Sequence, residues 1–150
     1  AMVSPVMIDA KNPLYSVNGV FNAIFIHGNV LGDAMFYGSG AGKLPTASAV
    51  VADVVDCAKN KGRNIMMSWS EEKLNLLQID DVKSRFFVRV SGHAAERQSE
   101  IEELFGKVEI VAVPSLSEEF AFITGEITEQ EYREKAEKLD GIQSRIRARI

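Results

Sequence analysis

A glycine-rich stretch between an apolar, strand-like run and a long apolar helix constrains this chain most. Gly38, Gly40 and Gly42 occupy every second position, and Pro45 follows where the first turn of a helix tolerates proline. Glycine has no Cβ, so backbone amides at Gly38–Gly42 could approach a ligand closely, and the positive end of a helix favours an anionic group. The same composition also suits a flexible turn. The residues alone leave both interpretations open.

Two common nucleotide-binding motifs do not fit this stretch. A phosphate loop requires glycine where Tyr37 stands and Ser or Thr where Leu44 stands. The dinucleotide fingerprint Gly-x-Gly-x-x-Gly reaches Lys43 from Gly38 and Pro45 from Gly40. If the loop touches a nucleotide, the sequence therefore predicts an accessory contact.

Composition excludes several classes of partner. The net charge of −4 argues against nucleic acid and against an anionic membrane. The single cysteine, Cys57, excludes an intrachain disulfide framework and is typical of a reducing cytoplasm. No apolar run is long enough for a membrane span, and the chain does not start like a signal peptide. We therefore expect a cytoplasmic protein.

The uneven distribution of acidic residues predicts two segments with different roles. Residues 1–64 contain no glutamate, and the first glutamate of the chain is Glu71. Such a shift in composition indicates a boundary. We predict one segment over residues 1–64, a connecting segment over 65–82 and a small domain over 83–150.

The first segment has the pattern of a partial sheet with one helix. Residues 20–37 predict an antiparallel hairpin that turns at His27-Gly28-Asn29. Pro45 to Lys59 predicts a helix that is apolar over most of its circumference and so needs partners on several sides. This segment is expected to form one wall of a larger core.

The second segment predicts a self-sufficient ferredoxin-like domain. Strand patterns fall at Lys83–Val90, Val108–Val113, Phe120–Ile127 and Ile142–Ile150. One helix is predicted from Ala95 to Phe105, and a capping box at Thr128–Glu131 starts a second, with Tyr132, Ala136 and Leu139 buried and a stop at Gly141. The order β-α-β-β-α-β is that of a ferredoxin-like unit, so the whole chain is predicted to be α+β, with a mixed or antiparallel sheet.

Two runs of this sequence closely resemble the end of the catalytic region of homoserine dehydrogenase. They are Ser16–Ile24 and Met35–Asp56, and the tail after Lys83 resembles the ACT domain that many bacterial members carry. The resemblance implies an NAD(P)-dependent oxidoreductase that interconverts aspartate semialdehyde and homoserine in threonine and methionine biosynthesis. It also implies that Gly38, Gly40, Ala41 and Gly42 contact the cofactor, NADP or NAD, as the loop closes over it.

The departures from this family are equally informative. The nucleotide-binding domain, the catalytic lysine and the substrate-binding acids of the family have no counterpart here, so we assign no catalytic residue and expect an inactive fragment that binds the cofactor poorly. Its missing partner is the N-terminal part of the same enzyme. The turn Ser91-Gly92-His93-Ala94-Ala95 lacks the Asp-x-Pro-Gly pattern of ACT domains, so threonine is expected to bind weakly or not at all.

Several other residues invite a chemical role but are better explained structurally. His27 and His93 are predicted in turns without a carboxylate or thiol at ligand spacing, so no metal site is expected. Cys57 is interpreted as a small core residue, and Trp69 with Met66-Met67 as packing between the segments. A solvated helix face is the interpretation given to four acids, Glu129, Glu131, Glu134 and Glu137.

Two functional hypotheses remain open. In the first, the chain is the cofactor-closing edge and regulatory tail of an oxidoreductase. In the second, it is a stand-alone amino-acid-binding or dimerisation module of ACT type. In either case the apolar helix and open sheet edges predict a homodimer.

Overall fold

The computed structural model describes residues 2–63 and 67–150. These residues form two compact units. The tail unit comprises Ala1–Asp9 and Asn75–Ile150, and the hairpin–helix unit comprises Ala10–Leu74. The first nine residues thus belong with the C-terminal half of the chain, and the hairpin–helix unit is inserted between them and the rest of the tail unit.

The hairpin–helix unit contains the predicted antiparallel hairpin, with a different turn. Strands β2 (Phe21–Gly28) and β3 (Gly32–Ser39) follow a short strand β1 (Val6–Ile8) and a 3₁₀ helix at Pro13–Ser16. The turn lies after Gly28 rather than at His27-Gly28-Asn29, so Val30 and Leu31 are exposed turn residues. Gly32 closes the turn with a φ of 76°, a conformation that glycine adopts without steric cost.

Helix α1 (Lys43–Lys59) begins two residues earlier than the predicted start at Pro45. Pro45 is accommodated in the first turn because amides there have no intrahelical acceptor. None of the residues of α1 is buried, although Val50, Val51, Val54 and Val55 are all apolar. The predicted all-round apolar helix is therefore present, but within this chain its surface is left exposed.

The tail unit has the ferredoxin-like order predicted from the sequence. Its elements are β4 (Lys83–Ser91), α2 (Ala94–Phe105), β5 (Glu109–Val111), β6 (Glu119–Ile123), β7 (Ile127–Thr128), α3 (Glu129–Ala136) and β8 (Ile142–Arg149). The main strands lie in the order β1-β8-β4-β6-β5, and β7 pairs separately with the start of β4. The predicted strand over Val108–Val113 is shortened to three residues, and the predicted Phe120–Ile127 strand is split into β6 and β7.

Strand β1 completes the sheet of the tail unit from the other end of the sequence. It runs parallel to β8, with Val6 opposite Arg147 and Ile8 opposite Arg149. The run Pro5–Ile8 was assigned to the first segment, since contiguous stretches are the natural units of a sequence interpretation. A parallel pairing between distant stretches leaves no such local signal.

The core of the tail unit lies between its sheet and its two helices. Phe86, Val88, Ile101 and Phe122 are fully buried, and Phe105 and Tyr132 pack with them. Burying each such side chain stabilises the fold by roughly 1.5–3 kcal/mol. The predicted buried positions Tyr132 and Leu139 are confirmed, but Leu139 lies beyond the end of α3.

The capping box that starts α3 is confirmed, while one of its neighbouring acids was misjudged. The Glu131 amide donates to Thr128 Oγ1 and the Thr128 amide donates to the Glu131 carboxylate. Glu129, predicted on a solvated face, is only 5% exposed. Its carboxylate accepts hydrogen bonds from Arg145 (2.9 Å) and Arg147 (2.6 Å), which is why an acid can be buried here.

Candidate cofactor-contacting loop

The predicted loop lies between the last residue of β3 and the first turn of α1. Gly38 still pairs with Asn22 of β2, and Ser39 pairs with Phe21. Gly40, Ala41 and Gly42 then carry the chain out of the hairpin into the helix. The four predicted cofactor-contacting residues therefore connect the end of the hairpin to the start of helix α1.

Gly40 is packed against a neighbouring side chain. A Cβ at this position would lie 2.4 Å from Nδ2 of Asn22 and 3.3 Å from its Cγ. Any larger residue would have to displace the Asn22 side chain. Gly38, by contrast, has no atom within 4 Å of a Cβ placed on it, so its backbone faces open space among the described residues.

Gly42 is required by backbone conformation rather than by lack of space. It is the residue before helix α1 and has φ 117° and ψ 161°, a region that L-residues with a side chain rarely adopt. A Cβ there would lie at ordinary contact distances from Pro45, 3.6 Å from Cδ and 4.0 Å from Cγ. The carbonyl of Gly42 accepts from the Thr46 amide at 3.2 Å, which closes the first turn of the helix.

The start of helix α1 offers backbone donors to a ligand. No side chain caps this helix. The first amides of any helix lack intrahelical acceptors, and Pro45 has no amide hydrogen to satisfy. With the helix dipole, this arrangement suits a carbonyl, amide or anionic group that approaches the glycines.

A pair of stacked aromatic rings flanks the loop, and sequence reasoning missed it. Phe21 and Tyr37 stack with ring centroids 4.9 Å apart and planes inclined by 15°. Both rings are partly exposed. The signal was the hairpin register: Phe21 lies opposite Ser39 and Tyr37 opposite Ala23, which makes the two rings diagonal neighbours on one face.

The loop combines several features that suit contact with a planar polar group. Bare glycine backbone, uncapped helix amides and an adjacent aromatic surface could receive one planar polar ring. The residues of the loop do not form a pyrophosphate cradle of either standard type. The remainder of a dinucleotide would therefore need other parts of an enzyme.

Four side chains that the sequence interpretation treated as structural lie elsewhere than expected. His27 is in strand β2, not in a turn, and its Nδ1 lies 2.5 Å from Oδ1 of Asp33 across the hairpin. Cys57 is exposed, because α1 buries none of its residues. Trp69 is 82% exposed and Met67 is also exposed, so neither packs as predicted; Met66 lies outside the described residues. Residues 2–63 and 67–150 contain no group of three His, Cys, Asp or Glu side chains placed to hold a metal ion.

An arginine of α2 forms hydrogen bonds at the turn between β4 and α2. Arg97 donates from Nη1 to the Ser91 carbonyl and from Nη2 to the Asp140 carbonyl, both at 3.0 Å. Gln143 donates to Ser91 Oγ at 2.7 Å. These hydrogen bonds connect the Ser91 turn, where the sequence analysis considered amino-acid binding, to the turn before β8.

The sequence profile of homoserine dehydrogenase matches residues 1–55. A curated homoserine dehydrogenase of Lactococcus lactis is 42% identical over 93 residues, which cover 60% of this chain and 22% of that relative. A homoserine dehydrogenase of Corynebacterium glutamicum is 54% identical over 61 residues, which cover 41% of this chain and 14% of that relative. Residues 1–55 of this chain therefore match homoserine dehydrogenase, and its curated relatives carry the same name. These matches confirm the resemblance to homoserine dehydrogenase that the two sequence runs indicate.

Solved structures extend the likeness to nearly the whole chain. A homoserine dehydrogenase from Thiobacillus denitrificans aligns with a TM-score of 0.74 at 24% identity, over 97% of this chain and 38% of that one. One from Staphylococcus aureus aligns with a TM-score of 0.68 at 26% identity, over 97% of this chain and 36% of that one. This chain therefore spans well under half the length of the family members it matches. In the part of the chain that the structure describes, no helix is both long and apolar enough to cross a membrane.

Proposed function

We propose that this chain supplies the cofactor-closing loop of a homoserine dehydrogenase that interconverts aspartate semialdehyde and homoserine with NADP or NAD. The observation that carries the proposal is the geometry of Gly40 and Gly42. One glycine is packed against Asn22 and the other needs a positive φ directly before an uncapped helix. Both features exclude a side chain, so bare backbone leads into the start of the helix.

The role of the loop in such an enzyme is binding and shielding. A bound nicotinamide cofactor would supply the hydride acceptor or donor. Gly38, Gly40, Ala41 and Gly42 would present backbone to it, and the stacked Phe21–Tyr37 pair would exclude water at the edge of the site. Excluding water strengthens the polar contacts made there.

We propose further that the chain is not catalytic alone. It spans 22% of the Lactococcus relative, and no described residue of the hairpin–helix unit is buried. A unit without a core of its own is expected to pack against other parts of its enzyme. The proposed partner is the remainder of the same enzyme, which would carry the nucleotide-binding domain and the catalytic residues.

The test replaces Gly42 in the full-length enzyme that contains this chain. Gly42→Val should raise the KM for the cofactor and lower kcat, because the positive φ is strained and the branched side chain blocks close approach. Gly28→Ala is the matched control, since Gly28 has no positive φ and its neighbours lie at ordinary contact distances of 3.6 Å or more. A stably folded Gly42→Val enzyme with unchanged constants would assign the loop a purely structural role.

A second function is favoured by the ferredoxin-like order of the tail unit. That unit has its own buried core, so it could act as an amino-acid-binding or dimerisation module of ACT type. We propose that threonine binds it weakly or not at all, because Arg97 already donates to the Ser91 carbonyl at the β4–α2 turn and to the Asp140 carbonyl before β8. Calorimetry with millimolar threonine decides the point: a clear saturable heat would contradict this expectation and favour the module.

A further inference from the structure

A cavity of about 320 Å³ lies in the tail unit where β1 joins β8. Its walls come from the start of β4 (Val82–Arg85), the end of β8 (Arg147–Arg149) and the N-terminal side chains Met2 and Val6. Its volume is within the range of small-ligand sites, which begins at roughly 300 Å³. It lies at the opposite end of β4 from the Ser91 turn and far in sequence from the glycine loop.

The lining of this cavity is strongly cationic. Lys83, Arg85, Arg147 and Arg149 line it, against the single carboxylate of Glu126. Like charges brought together in one concave site repel one another unless counter-charges are present. The chain as a whole is acidic, so this cluster is not a consequence of average composition.

Two of the four cations are already engaged inside the fold. Arg147 pairs with the buried carboxylate of Glu129. Arg85 donates to the carbonyls of Thr124 at 3.1 Å and Ile150 at 2.7 Å, and lies 3.7 Å from Glu109. Their positions are therefore fixed by the protein itself, and Glu129 and Glu109 balance their charges, so the unbalanced positive charge of the lining comes from the other two cations.

The other two cations have no such commitment. Lys83 and Arg149 form no ion pair with any residue of 2–63 or 67–150; Lys83 acts on Glu131 only at longer range, helping to lower its pKa. Both residues are exposed, and Ser84, which follows Lys83 in β4, also lines the cavity and has a hydroxyl donor. Arg and Lys together with a hydroxyl are the groups that proteins use to hold phosphate and carboxylate oxygens.

We propose that this cavity binds an oxyanion, a phosphate or carboxylate group of a small metabolite, through Lys83, Arg149 and Ser84. The apolar side chains of Val6, Val82 and Met2 would receive the carbon skeleton that carries the charged group. Because Val6 belongs to β1, bound ligand bridges the N-terminal strand and the ferredoxin-like sheet. The site does not depend on the proposed dehydrogenase function.

The test is calorimetry of the 150-residue chain at low ionic strength, with inorganic phosphate and citrate as the two probes. We expect saturable binding in the millimolar range that weakens with added salt. Arg149→Gln and Lys83→Gln should each weaken binding about tenfold, the loss expected for one charge-assisted hydrogen bond. Lys107→Gln removes the same charge from an exposed position outside the cavity and should change the affinity by less than about twofold.

The outcomes separate the possible sources of the anion. Binding of phosphate alone assigns the site to phosphorylated ligands, and binding of citrate alone assigns it to carboxylates. Absence of saturable binding with both probes overturns the proposal, as does an equal loss in Lys107→Gln, which would mean a general charge effect. Amide chemical shifts of the unsubstituted chain give a second readout, independent of whether the variants fold: perturbations must centre on residues 82–85 and 147–149.

Discussion

The buried carboxylate of Glu129 offers the sharpest test of how the tail unit is held together. It is 5% exposed and accepts hydrogen bonds from Arg145 and Arg147. Arg145 in turn lies over the ring of Tyr132 with its guanidinium carbon 4.6 Å from the ring centroid. One carboxylate therefore fixes two arginines of β8 and, through one of them, the ring of a core residue.

Glu129→Gln should destabilise the chain by about 2–3 kcal/mol. Removing one partner of a fully buried ion pair costs roughly 3–5 kcal/mol. The cost is discounted here because the Arg145 side chain is 40% exposed and can regain water, whereas Arg147 is only 18% exposed. The amide retains one acceptor and nearly the same volume, so the loss reports charge and hydrogen bonding rather than a cavity.

Urea unfolding followed by circular dichroism measures this loss as a lower midpoint at unchanged slope. Glu134→Gln is the matched control, because Glu134 is an exposed residue of the same helix that accepts a hydrogen bond from Gln130 and has no ion pair among the described residues. The control should change stability by less than about 0.5 kcal/mol. Equal midpoints for the two variants would refute the argument that the Glu129 pair stabilises the fold.

Three further predictions concern the whole chain and the start of α3. The pure 150-residue chain should show no turnover of homoserine with NAD or NADP in a spectrophotometric assay; measurable turnover would overturn the proposed dependence on the rest of the enzyme. Sedimentation equilibrium at micromolar concentration should give a homodimer, and a mass near the 16.5 kDa of one chain would contradict this. Thr128→Ala should lower the free energy of unfolding by about 1 kcal/mol in urea, since it removes the cap of α3. Part of that difference should be lost in acid. The Thr128 backbone and side-chain hydrogen bonds lower the pKa of Glu131, and the variant removes the side-chain one, whose stabilisation is present above the ordinary pKa of 4.5 and is lost as pH falls through the folded value. A difference that does not depend on pH would contradict the role of the Thr128 side chain.

The elements that sequence reasoning predicted correctly are those with local causes. The hairpin, helix α2 with its stop at Gly106 and the capping box at Thr128 each depend on residues within a few positions of one another. The ferredoxin-like order followed from the sequence of such local signals. Strand β1 has no such signal, because its partner β8 lies at the other end of the chain.

The candidate loop was located by sequence, but its surroundings were not. A turn at His27–Asn29 would place Asn22 opposite Ala34, whereas the turn after Gly28 places Asn22 opposite Gly38. The correct register brings Asn22 beside Gly40 and stacks Phe21 on Tyr37. Register depends on the turn, and a small displacement of the turn changes every neighbour along both strands.

The sequence analysis also failed to predict that the charged side chain of Glu129 is buried. Acids on a helix of mostly polar residues are expected in water, so Glu129, Glu131, Glu134 and Glu137 were grouped together. Glu129 departs from that rule because Arg145 and Arg147 alternate along β8 on the face that meets α3. The spacing of Arg145 and Arg147 is visible in the sequence. Only the structure shows that α3 packs against the face of β8 that carries them.

The two units differ in how much apolar surface they bury, and this difference bears on the role of the chain. The tail unit buries Phe86, Phe122 and their neighbours in a core of its own, which is what an independently folding domain requires. The hairpin–helix unit leaves the valines of α1 exposed, and each could contribute roughly 1.5–3 kcal/mol if it were fully buried. A sequence keeps so many apolar side chains on one helix when a larger assembly covers them. The glycine loop begins that same helix, so whatever covers α1 also fixes the position of the loop. If the loop has the role proposed above, burial of α1 should therefore also set the position of the loop at the cofactor.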